Sequence, residues 1–165
     1  MEQLISTPIK GPELILGKLL PYFSVGMLDM LLAVVMGQFL FHVPLRGNVA
    51  LLFGLAMIFL VGALSMGMLI SIVTKSQLLS SQIAMVATFL PSFLLSGFMF
   101  TISNMPRLIQ LVTYIVPARY FIIILKGIYL KGVGWEVLAV PTALLVVYGA
   151  VMVLLANVRF KKKLV

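Results

Sequence analysis

The 165-residue sequence contains no cysteine, a single histidine and only four acidic residues, Glu2, Glu13, Asp29 and Glu136. Without cysteine there is no disulfide, no thiol nucleophile and no thiolate metal site, although the redox compartment is left undetermined. One histidine, His42, cannot assemble a zinc signature, and at the edge of an apolar run it reads as an interfacial residue rather than a ligand. Charge is scarce altogether. Only 10% of the residues are charged and 62% are hydrophobic, against roughly 25% and 45 to 50% in soluble domains. This is the composition of an integral membrane protein. At about 20 residues per crossing, four to five helices fit and a second, soluble domain does not.

The formal charge of +8 does not point to nucleic acid. The basic residues are scattered at the ends of apolar segments and gathered at Arg159 to Lys163, as topology-setting charges are, and no basic face with interleaved aromatics exists. The start, MEQ, lacks the basic region and short apolar run of a secretory leader.

Four apolar segments read as spans, at about 19–41, 49–73, 78–100 and 137–158. Pro12 and Glu13 suit a helical first turn that continues into the first span. Pro44, Gly47 and Asn48 make a tight turn after it. Pro91 kinks the third span, with Ser92 and Ser96 expected to satisfy the carbonyls it frees. Between the third and fourth spans, 104–131 stays apolar yet carries Pro106, Pro117, Arg107, Arg119, Lys126 and Lys131. A lipid-facing span would not tolerate those charges cheaply. Two short helices meeting at Pro117 and lying at the membrane surface, with cations snorkelling to water, accommodate them. The expected fold is all-α: four transmembrane helices with a re-entrant or interfacial helical hairpin between the third and fourth, forming a single domain over 1–165.

Four spans leave both ends on one side. Lys10, Lys18, Lys75, Arg159, Lys161, Lys162 and Lys163 fall there, against Arg46, Arg107, Arg119, Lys126 and Lys131 on the other, so the positive-inside rule puts both termini in the cytoplasm. A fifth span would send the C-terminal lysines outside.

Chemistry-bearing motifs are few. GPELILGKL imitates a phosphate-binding loop, but five residues separate Gly11 from Gly17 where the motif has four, and Leu19 replaces the magnesium-binding Ser or Thr. Asp29, near the middle of the first span, costs on the order of 2.5 to 3.5 kcal/mol on insertion scales. It reads as a translocation-path residue or as a hydrogen-bonded carboxyl that fixes helix packing. No second acid lies at its depth, so paired-carboxylate chemistry has no partner. Small residues recur every four positions at Ser80, Ala84, Thr88, Ser92 and Ser96, and at Ala63, Gly67 and Ser71, which suits close helix packing in lipid. Ser92 and Ser96 could also line a path. Arg119 and Lys126, seven apart on one helix with Tyr120 beside them, are candidates for an outer gate.

The run LPSFLLSGFMF (90–100), then NMPRLIQLVTYIVPARYF (104–121), then LKGIYLKG (125–132) resembles the C-terminal half of ABC-2 type transporter permeases, the membrane subunits of multidrug-type ABC exporters. The resemblance covers nearly the whole chain. The family's first membrane helix, large extracytoplasmic region and second helix have no counterpart here, so Met1 is expected to correspond to an internal position of a longer protein. What the resemblance implies is a multi-pass subunit of the bacterial inner membrane with no cofactor or ATP site of its own. A cytoplasmic ATP-binding partner, a second permease subunit and membrane lipids would be its partners. The segment MEQLISTPIK matches the family's ATPase-docking region, which makes Glu2, Gln3, Leu4, Ile5, Thr7 and Pro8 the expected coupling residues. The cargo expected is a drug-like or lipid-like compound. Half of a secondary transporter and a non-catalytic assembly subunit are the alternatives, though a secondary transporter should show inverted repeats and midplane ion ligands. An intramembrane enzyme would need a nucleophile with its base or a zinc motif, and neither is present.

Overall fold

The computed structural model describes residues 11–74 and 76–163, so the predicted coupling segment 2–8 lies outside the described residues. Among those described there is no strand. The long helices are α1 (Gly11–Phe39), α2 (Val49–Val73) and α7 (Trp135–Lys163). Between α2 and α7 come α3 (Gln77–Ala84), a π-helical turn (Met85–Phe89), α4 (Leu90–Leu94), a 3-10 turn (Ile102–Asn104), α5 (Arg107–Thr113), α6 (Pro117–Lys126) and a second π turn (Gly127–Lys131). Among the described residues four helices are long and apolar enough to cross a membrane: Leu16–Phe39, Val49–Val73, Gln77–Leu94 and Trp135–Arg159. The protein is an all-α membrane protein.

α2 is the central element, packed against α7, α1, α6 and α3. Asn48 starts it, its side-chain oxygen accepting from Ala50 N at 2.8 Å and Leu51 N at 3.4 Å, which satisfies amides that a helix leaves unpaired. α2 and α7 cross where two glycines face each other. A side chain on Gly62 would begin 3.1 Å from the Tyr148 ring and 3.3 Å from Gly149 Cα. In lipid, that backbone approach is what drives helices together. The core gathers beside the crossing from Val34, Leu52, Leu55, Ile124, Ile128, Leu138 and Leu145, with Phe59 stacked on Phe121 at 4.5 Å.

The hairpin helices α5 and α6 meet at an 86° bend. Pro117 opens α6, where its missing amide costs nothing. α6 then packs on α2 and α7, so the second helix of the hairpin is part of the bundle.

The third span ends earlier than its apolar run suggests. Helix stops at Leu94, and 95–100 leave helical geometry because Gly97 takes φ +83. That conformation is open to glycine and strained for other residues.

The small-residue stripe of the third span turns inward. Ser80, Ala84, Thr88 and Ser92 are half-buried and Ser96 is buried, whereas most of their neighbours are exposed. The second stripe does not: Gly67 and Ser71 are exposed, and the close contact of α2 falls at Gly62 instead. Its physical reason is rotational, since a position one residue along a helix lies about 100° around it.

Candidate functional site: the broken third span and its hairpin

Pro91 sits in α4 directly after a turn of π helix, in which Leu90 N bonds Met85 O. The wider turn absorbs the proline that would otherwise break the ladder, and such turns concentrate where helices must bend. The serines do not repair the break. Ser96 Oγ instead accepts from Phe98 N at 3.3 Å, shaping the turn beyond the helix. A back-bond is made by Thr88, whose hydroxyl donates to Ala84 O at 2.5 Å. Ser92 is thus left half-buried on α4, and Ser96 buried in the turn just beyond the end of that helix.

Across from this end stands α6. Lys126 Nζ donates to Gly97 O at 2.7 Å, 29 residues away in sequence, tying the non-helical end of the third span to the hairpin. α4 also packs on α6. Arg119 and Tyr120 have a different task. The Arg119 guanidinium donates to Thr113 Oγ1 and lies 3.8 Å over the Tyr114 ring, and Tyr120 Oη donates to Tyr114 O at 2.7 Å. Thr113 is fully buried and in turn donates to Gln110 O at 2.7 Å. Both side chains therefore reach back across the 86° bend and fix its angle. Buried Arg119 Nε has no hydrogen-bond partner. The three proposed gate residues do not form one constellation: two hold the hairpin's shape, and Lys126 holds the hairpin to the third span.

Asp29 lies elsewhere. It is exposed on α1, which packs on α2 and α7, whereas Ser92 and Ser96 belong to the part of the chain that packs on α6. The packing role expected for Asp29 is not fulfilled among the described residues, because its face of α1 is turned outward with Val25, Leu28 and Leu32. No periodicity argument could have shown this. A face becomes interior only when a partner helix is placed against it.

A cavity of about 450 Å³ opens between α1, α2 and α7, lined by Leu19, Phe23, Leu64, Met68 and Val153, with Ser65 and Asn157 as its polar members. Three segments far apart in sequence form it, and no local signal marks it. Its lining suits an apolar chain rather than a polar solute. Among the described residues no group of three or more metal-ligating side chains comes together.

A family model described as ABC-2 family transporter protein matches residues 1–158. The chain is 43% identical, over 99% of its length, to the probable multidrug ABC transporter permease YbhS of Escherichia coli (strain K12), covering 44% of that protein. It is 29% identical, over 83% of its length, to the probable multidrug ABC transporter permease YbhR of the same strain, covering 37% of it. Against ABC transporter G family member 20 of Dictyostelium discoideum the identity is 24% over 89% of the chain, which covers 20% of that protein. The chain therefore spans less than half the length of these relatives. No solved structure matches it.

Proposed function

This chain belongs to the ABC-2 transporter family, and on that premise we propose that it is the C-terminal half of an export permease. In this reading it moves a hydrophobic or amphiphilic compound out across the bacterial cytoplasmic membrane, drawing on ATP hydrolysed by a separate subunit. Two permeases pair, and the inward face of the third span, with Ser92 and Ser96, borders the path. Residues 2–8 rest on the ATPase. ATPase closure shifts the bundle between two arrangements, and it can do so only through contacts that differ between them.

The observation that carries the reading is the hydrogen bond by which Lys126 of the hairpin holds the non-helical end of the third span, at Gly97 O. A π turn and Pro91 lie within the third span and a φ-positive glycine just beyond its helical end, and the Lys126 to Gly97 bond is a contact that can open without disturbing the core. Lys126→Met, made in the full-length parent, tests it. The hairpin's own locks at Arg119 and Tyr120 remain, so the variant should insert and bind its ATPase normally. Transport of a lipophilic dye by inverted vesicles should fall several-fold, on the order expected when a charge-assisted hydrogen bond is lost from one of two states, and Lys126→Arg should restore part of it. Unchanged transport in Lys126→Met would remove the latch from the mechanism.

Orientation follows from the charge distribution and is tested separately. The chain has no cysteine, so Asn104→Cys and Lys163→Cys can each be labelled alone by an impermeant maleimide in intact cells. Asn104→Cys should react from outside and Lys163→Cys only after lysis. Labelling of both from the same side would require a fifth crossing.

A further inference from the structure

α1 presents two faces, and the bundle uses one of them. On the used face a side chain at Gly26 would begin 2.9 Å from Leu60 of α2, Val34 is buried in the core with Met30 packed against it, and a side chain at Gly37 would begin 3.7 Å from Tyr129 Oη. The other face carries Lys18, Tyr22, Val25, Asp29, Leu32 and Met36, all of them exposed. Their spacing alternates four and three residues, which at about 100° per residue keeps all six within about 80° of arc. That alternation is the spacing of a helix-pairing seam. No helix among the described residues covers it.

The seam is not a lipid surface. Asp29 stands about midway along the span Leu16–Phe39 and makes no hydrogen bond or ion pair among the described residues, and ionisable groups at that depth face protein or water rather than acyl chains. A second copy of the chain does not suit it either. Two copies inserted the same way and paired about an axis along the membrane normal would set Asp29 on Asp29 and Lys18 on Lys18 at matching depths, and like charges across an interface oppose each other. What fits is a helix with a hydrogen-bond donor at the depth of Asp29. The chain spans less than half the length of its permease relatives, so most of such a protein lies outside it. Taking the chain as one part of a longer permease, as proposed above, we propose that the Lys18 to Met36 face of α1 seats a membrane-spanning helix from the remainder of that permease, whose donor side chain meets the Asp29 carboxyl.

Photo-crosslinking in the full-length parent identifies the occupant. The photoreactive residue p-benzoylphenylalanine replaces either Leu32, on the seam one turn from Asp29, or Phe23, which lines the cavity with Leu64 of α2 and Val153 of α7, and adducts formed in irradiated membranes are read by peptide mass spectrometry. The Phe23 probe should link to α2 or α7, which shows that capture works. The Leu32 probe should link to a segment of the same polypeptide outside these 165 residues, with a side chain able to donate a hydrogen bond within one helical turn of the linked position. Linkage to a second copy, seen as a dimer-sized band, to another subunit, to lipid or to another part of these 165 residues overturns the assignment of the seam, as does the lack of any adduct. A linked helix without a donor overturns the contact to Asp29. Neither probe depends on ATP or transport. Failure of the seam would therefore leave the export reading standing, and failure of export in vesicles would leave the adducts unchanged.

Discussion

Gly47→Val is expected to lower the melting temperature of the purified chain in detergent micelles by roughly 5 to 10 °C, while Gly54→Ala leaves it unchanged or slightly raised. The difference lies in what a side chain would meet. At position 47 a Cβ falls 2.7 Å from Ile128 Cγ2, 2.7 Å from Ile128 O and 3.2 Å from Ile128 Cα; at position 54 nothing lies within 4 Å. Two of the three atoms facing Gly47 are backbone, held in a π turn, so no rotamer change relieves the overlap. Ile128 is itself fully buried in the core. Pushing it outward disturbs its contacts with the core around Leu52 and Leu138, and overpacking of this kind costs about 1 to 3 kcal/mol. Gly54 is exposed on a helix, where alanine is the better helix former by about 1 kcal/mol. Circular dichroism against temperature reads both variants. Equal melting of Gly47→Val and wild type would mean that the junction between the α1–α2 turn and the hairpin is looser than its geometry indicates.

That junction also marks how far the sequence could be read. Pro44, Gly47 and Asn48 announce a turn, and Asn48 announces the start of α2, because each acts through its own backbone chemistry. Nothing in the sequence says that the turn will seat on Ile128, 81 positions away from Gly47. The hairpin was legible for the same local reason, since Pro117 must interrupt a helix and four cations cannot lie cheaply in lipid. The third span shows the opposite limit. Hydropathy runs unbroken to Phe100, yet the helix ends at Leu94, and the signal was the Ser96–Gly97 pair rather than any loss of apolar character. Hydropathy reports what a segment can dissolve in, not what its backbone does. Spacing has a similar blind spot: it found the stripe ending at Ser96, which faces inward, and a second stripe at Gly67 and Ser71, which does not. The cavity between α1, α2 and α7 and the outward position of Asp29 depend on which helices become neighbours, and periodicity holds no information about that.

Coupling to ATP hydrolysis should be abolished by Leu4→Asp with Ile5→Asp in the full-length parent, and insertion should survive. On the proposed reading, in which a separate subunit hydrolyses ATP, the permease would respond to hydrolysis through a mechanical contact, and residues 1–10 are the polar segment of sequence nearest the start of α1. Isolated helices shorter than about 12 residues are marginal in water, so on that reading the binding energy would come from a groove of the partner. In it, Leu4 and Ile5 would be the apolar anchors, Glu2 and Gln3 polar contacts at the rim, and Thr7 with Pro8 the stop that sets the angle to α1. An apolar anchor at the centre of an interface is worth on the order of 2 kcal/mol or more. Two introduced carboxylates should therefore weaken ATPase binding by well over about tenfold. Alanine at both positions should weaken it less, because truncation removes contact without burying charge. Co-purification of the ATPase from membranes reports binding, and dye transport by inverted vesicles reports coupling. If the doubly substituted permease retains its ATPase and transports at the wild-type rate, the docking assignment of residues 2–8 is wrong, and the mechanical contact has to be sought elsewhere.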